Sequence, residues 1–126
     1  MLEIRPTTDT KLLAAYCQKC GKTASPQFYL YLAKDGESLL GAGLFEIDGE
    51  CAQPLLYEGD KTDVWLFDAV LRAGLNCAAM QGVATGCISE GFRAAHTTFF
   101  ERLNYPAQPE FGLEDFFREH KGCAGV

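Results

Sequence analysis

LLYEGDKTDVWLFDAVLRAGLNCAAMQGV, residues 55–83, is the stretch that decides how this chain folds. Its opening residues read as the end of a strand, and from Thr62 to Gln81 apolar residues recur at helical spacing. Leu66, Val70, Ala73 and Cys77 lie on one stripe, Phe67, Leu71, Gly74 and Ala78 on the next, and Trp65, Asp68, Arg72 and Asn76 opposite. So wide an apolar arc predicts a helix laid across a sheet, with one narrow face in water and Gly82 as its stop. A glycine-bearing turn that feeds a helix is also where many α/β proteins hold a phosphate, because the helix's first N–H groups lack partners. This turn carries Glu58, Asp60 and Asp63 against one cation, Lys61.

Upstream, LEIRP (2–6) suits a short first strand that stops at Pro6. Thr8 or Asp9 can cap a helix over residues 9–20, with Leu12, Leu13, Tyr16 and Cys20 at helical spacing and Gly21 as its stop. After the Ser25-Pro26 turn, Asp35-Gly36 and Asp48-Gly49 are hairpin signals that divide FYLYLAK (28–34), SLLGAGLFEI (38–47) and ECAQPLLY (50–57) into three antiparallel strands. Gly41 and Gly43 mark a bulge or a close backbone approach in the middle one.

Downstream, VATGCIS (83–89) reads as a short buried strand, and a helix follows over 93–103 with Phe99, Phe100 and Leu103 as its apolar side. Asn104-Tyr105-Pro106 closes that helix, and LEDFFREH (113–120) is one more amphipathic stretch. The order places the late strand parallel to its neighbour through the 62–81 crossover. The expected architecture is α+β, a mixed central sheet of about five strands flanked by roughly three to four helices.

A chain of 126 residues fits one domain with a real core. Its net charge of −6, with 11 Lys and Arg forming no dense stripe, argues against a nucleic-acid backbone and against an acidic substrate. No signal-peptide order opens the sequence and no apolar run approaches the ~18 residues of a membrane span, so the chain is read as cytoplasmic. In that setting the six cysteines are expected to be reduced thiols, with Cys77 and Cys87 as small core residues.

The pattern resembles the GNAT superfamily of acyl-CoA-dependent N-acetyltransferases. LLGAGLFEIDGE (39–50) is similar to the family's third strand and turn, LFDAVLRAGLNCAAMQGV (66–83) to its central helix, and HTTFFERLNY (96–105) to its late helix, which usually reads like F-Y-E-K-L-G-F. The resemblance covers residue 2 to about 105 of a single domain over 1–126, with 106–126 as a divergent tail. It implies that acetyl-CoA enters where the fourth and fifth strands splay, its pantetheine arm pairing with backbone near Leu55, Leu56 and Tyr57. The pyrophosphate would sit at the helix start, beside Lys61 and Thr62.

The family's loop reads Gln/Arg-x-x-Gly-x-Gly/Ala, and those positions fall here on Glu58, Lys61 and Asp63. None matches. A helix start favours an anion by roughly 0.3 to 1 kcal/mol, whereas a carboxylate ~6 Å from a phosphate opposes it by about 1 to 3 kcal/mol. The same acids have a structural reading, in which Asp60, Thr62 or Asp63 caps the helix and supplies its anion. Many family members place a proton-donating tyrosine where this chain has Phe100, and a phenyl ring cannot donate. Tyr105 is read as core packing, His96 as surface or packing, and Glu46, Glu50 and Glu58 as solvated strand-end carboxylates, so no catalytic residue is assigned.

Cys17 and Cys20, with His120 and Cys123, form a Cys-x2-Cys and His-x2-Cys set that suits tetrahedral zinc if the tail folds back to helix one. Trp65 is either a lid over the sheet's edge or an exposed anchor for a partner. Phe111, Leu113, Phe116 and Phe117 either cover the half of the sheet that the family's final hairpin completes or pair two subunits as a homodimer. The leading expectation is a GNAT-like protein with a degenerate pyrophosphate loop and weak or no transferase activity. Its rivals are a working acetyl-CoA-dependent N-acetyltransferase on an unknown amine, and a zinc-stabilised or dimeric interaction module.

Overall fold

The computed structural model describes residues 1–119. Six strands form one sheet in sequence order: β1 (Leu2–Pro6), β2 (Phe28–Asp35), β3 (Ser38–Asp48), β4 (Cys51–Gly59), β5 (Thr85–Cys87) and β6 (Glu110–Gly112). All neighbouring pairs are antiparallel except β4 and β5, because helix α2 (Val64–Met80) carries the chain back across the sheet between them. The other helices are α1 (Thr10–Lys19), α3 (Glu90–Ala95), α4 (Thr97–Arg102) and α5 (Leu113–Glu119).

The α+β class and mixed sheet are as the sequence predicts, with one more strand. That strand is β6, whose Gly112, Phe111 and Glu110 pair with Thr85, Gly86 and Cys87. Three residues are too few to show alternation, so the pairing could not be read from periodicity. The expected strand over 83–89 is correspondingly short, Thr85–Cys87.

The late helix expected over 93–103 is two helices. Ser89 accepts the Phe92 N–H and starts α3 early, at Glu90 rather than residue 93. His96 then leaves helical geometry, with φ −128° and ψ 34°. The Thr97 hydroxyl bonds back to the Arg93 and Ala94 carbonyls, at 3.2 and 3.0 Å, at that break.

Two cores flank the sheet. The larger lies under α2, where Phe45, Phe67, Val70, Leu71 and Leu75 are fully buried; the smaller lies under α1, around Cys17, Leu30 and Leu44. Gly43 and Gly74 set how closely α2 approaches β3: an added Cβ would stand 2.7 Å from Val70 Cγ1 at the first and 2.1 Å from the Phe45 ring at the second. The close approach expected in the middle strand is therefore real. Leu113 and Phe116 are buried in the large core, so this part of the tail covers the sheet. Cys77 and Cys87 are half-buried rather than core residues.

Candidate functional site

β4 is paired with β5 only through Cys51–Thr85 and Ala52–Gly86. Beyond Ala52 the two strands part, and β4 runs on to Gly59 without that neighbour. A register shift on the β3 side adds to the opening: Leu44 faces Leu56 and Phe45 faces Pro54, leaving Leu55 as the extra residue of a bulge. Leu55 and Leu56 consequently both lean on the α1 core, half-buried, while Tyr57 turns into the α2 core. A cavity of about 480 Å³ is lined by residues 57–59 and Lys61, from the end of β4 and its turn, and by residues 94–99 of α3 and α4.

The acidic turn before α2 is occupied with itself. Asp63 is the N-cap, its carboxylate taking the Leu66 N–H at 3.0 Å. Asp60 Oδ1 accepts from the Thr62 N–H at 2.8 Å and the Thr62 hydroxyl at 2.7 Å, and these bonds lower its pKa. The capping alternative thus describes this turn, and α2 begins at Val64 rather than Thr62. Glu58 also lines the cavity, but its carboxylate is engaged by α1: Lys19 Nζ donates to both its oxygens, at 3.0 and 2.9 Å, and that hydrogen bond raises the lysine's pKa. Lys61, exposed in the turn, has no ion pair among the described residues.

Tyr57 is 5 % exposed, and its hydroxyl has no hydrogen-bond partner among the described residues. Burial, aided by Asp63 and Asp60, pushes its pKa up to about 12. Gly59 makes room for it, since a Cβ there would stand 2.3 Å from the hydroxyl. His96, expected as surface or packing, lines the cavity half-buried, its ring centroid 4.7 Å from that of Phe92 and 5.9 Å from that of Tyr57. Burial lowers its pKa below the ordinary 6.5, so it is neutral at pH 7. Neither ring nitrogen is hydrogen-bonded among the described residues. Lys61 and His96, which have no hydrogen-bond or ion-pair partner among the described residues, therefore line one cavity with Tyr57, whose unpartnered hydroxyl is buried behind its ring, and this makes the cavity the candidate ligand site.

Tyr105 is committed elsewhere. Its hydroxyl donates to Asp68 at 2.8 Å, the carboxylate that Arg72 also holds at 3.0 Å, and burial raises its pKa strongly. Phe100 is buried beside it, 5.4 Å between ring centroids. Glu50 is exposed as expected, but Glu46 is not: it is 7 % exposed and accepts from the side-chain amides of Gln27 and Gln53. Gln53 faces it across the β3–β4 hairpin, whereas Gln27 arrives from the loop before β2, which no local sequence pattern announces.

Of the candidate zinc ligands, Cys17 is fully buried in the small core and Cys20 is half-buried, and burial raises the pKa of both thiols. His120 and Cys123 lie outside the described residues. Among the described residues no group of three or more His, Cys, Asp or Glu side chains is placed to hold a metal. None of the described helices is long and apolar enough to cross a membrane. Trp65 is 70 % exposed on the first turn of α2, so it covers no strand.

No protein-family model and no curated protein matches this sequence. Solved structures do resemble the fold. The ribosomal-protein-S18-alanine N-acetyltransferase from Escherichia coli is 17 % identical with a TM-score of 0.58, over 82 % of this chain and 77 % of that one. The E. coli protein YhhK bound to coenzyme A is 18 % identical with a TM-score of 0.55, over 86 % and 93 %. A GNAT-family acetyltransferase from Staphylococcus aureus Mu50 is 10 % identical with a TM-score of 0.57, over 90 % and 99 %. With its β4–β5 splay, crossover helix and mixed sheet, this chain has the GNAT fold.

Proposed function

We propose that this protein takes the acyl-pantetheine end of an acyl-CoA into the cavity between β4 and α3–α4, and that it transfers the acyl group to an amine only slowly. The observation that carries the reading is the self-capped turn: Asp60 and Asp63 take the Thr62 and Leu66 N–H groups that a diphosphate would otherwise use. The nucleotide end of the ligand then gains little, while the splayed edge of β4 keeps its backbone groups for the pantetheine amides. Coenzyme A bound to a protein of the same fold is consistent with this choice of ligand.

The test compares acetyl-CoA with S-acetylpantetheine, which lacks the nucleotide. Trp65, the single tryptophan, is a fluorescence reporter on the first turn of α2. Both ligands should bind, with the nucleotide improving affinity by less than about tenfold, or about 1.4 kcal/mol. At about 100 times its dissociation constant, either ligand should add about 2.7 kcal/mol and raise the melting temperature by several degrees. Acetyl-CoA binding several hundredfold tighter than S-acetylpantetheine would mean that the diphosphate site is intact and would overturn the reading. Binding of neither would overturn it from the other side.

A further inference from the structure

We propose that His96 is the proton-transfer residue of the cavity, accepting the proton of an amine nucleophile and returning it to the departing thiolate. The inference rests on the reading of the cavity as an acyl-pantetheine site. Three independent features of the fold support it. The chain breaks helical geometry at this residue, and the break is held by Thr97 bonding back to the Arg93 and Ala94 carbonyls. The half-buried ring lines the cavity together with Lys61 and with Tyr57, whose ring it meets edge-on. Its nitrogens are not used by any described protein group, whereas the hydroxyl of Tyr105 is bound to Asp68.

The groups facing the imidazole leave it able to work near neutral pH. From α2 and the flanking helices it meets Phe67, Phe92 and Phe99, which carry no charge. From β4 it meets the Tyr57 ring, protonated at any ordinary pH, and the turn contributes Lys61. The Glu58 carboxylate is held by Lys19. Burial in this setting favours the neutral ring, the form that accepts a proton. As the amine nitrogen bonds to the acyl carbon, its proton passes to His96. The carbon–sulfur bond then breaks with its electron pair on sulfur, and the imidazolium gives the proton to that thiolate. Amine and thioester become amide and thiol, and His96 ends neutral.

The experiment uses the full chain with acetyl-CoA and methoxyamine, a weakly basic amine that is mostly uncharged across the range, reads released thiol, and expresses turnover per uncharged amine. Native turnover should rise with pH as His96 loses its proton and level off by neutrality. His96→Gln should lower kcat by about 100-fold, abolish that rise and leave acetyl-CoA affinity unchanged. Because the ring packs among aromatic neighbours, His96→Ala with added imidazole is a second measurement, and its turnover should recover as imidazole increases. A native profile that is flat between pH 5 and pH 7, or a folded His96→Gln protein within about twofold of native kcat, would overturn the proposal. Acetyl-CoA binding without thiol release would overturn it while leaving the cavity reading standing; absence of binding would remove both.

Discussion

Gly74 is where α2 has least room, since any side chain there meets the Phe45 ring at 2.1 Å and both groups are held by the strands and helix around them. Gly74→Ala should cost about 2–3 kcal/mol in urea unfolding, the overpacking penalty of a well-filled core. A loss under about 0.5 kcal/mol would mean that α2 can lift from β3 without consequence. Single residues were also where sequence reasoning had least to work with. The types of His96 and Glu46 were plain, but the Tyr57 and Phe67 rings beside one and the Gln27 amide beside the other come from segments distant in the chain. Gly43 could be flagged because a glycine inside a strand is itself a local anomaly.

At the scale of the element, the start of α2 separates capping from charge. Asp63→Ala removes the bond to the Leu66 N–H and should cost about 1 kcal/mol. Asp63→Ser keeps a cap oxygen and loses the charge, so stability should hold within about 0.5 kcal/mol. The serine variant should also bind acetyl-CoA about fivefold or more tightly, if the carboxylate opposes a phosphate by about 1 kcal/mol or more. Titration calorimetry would check it, and unchanged affinity would place the weak nucleotide anchor elsewhere. Capping chemistry is why α1 and α2 were legible to within two residues at their ends, with Asp9 and Asp63 as caps. The break between α3 and α4 was not, because His and Thr are only mildly unfavourable inside a helix and nothing local distinguishes a break from a continuation.

For the whole molecule, the buried titrating groups define a plateau of stability. His96 has a lowered pKa, so its contribution is complete above 6.5 and is lost as pH falls through the folded value. Cys51 and Tyr57 are raised to about 11 and about 12 from ordinary values of 9.0 and 10.0, so their contributions are complete below 9.0 and 10.0 and are lost as pH rises through the folded values. The melting temperature should therefore be flat from about pH 7 to 9 and fall on both sides. A steady climb through pH 10 would contradict the burial of these groups. The global arrangement was the most legible level, because two hairpin signals and one long amphipathic crossover constrain strand order before any side-chain contact is known. That order has a consequence during synthesis. The first four strands require nothing later in the chain to find their neighbours, so they can pair as they clear the ribosome, before the crossover helix follows them out. At roughly 5–20 residues per second, the side of the nascent sheet bearing Tyr29, Tyr31 and Phe45 would stand uncovered for about one to four seconds, an opening in which a chaperone that grips aromatic surface would find its target.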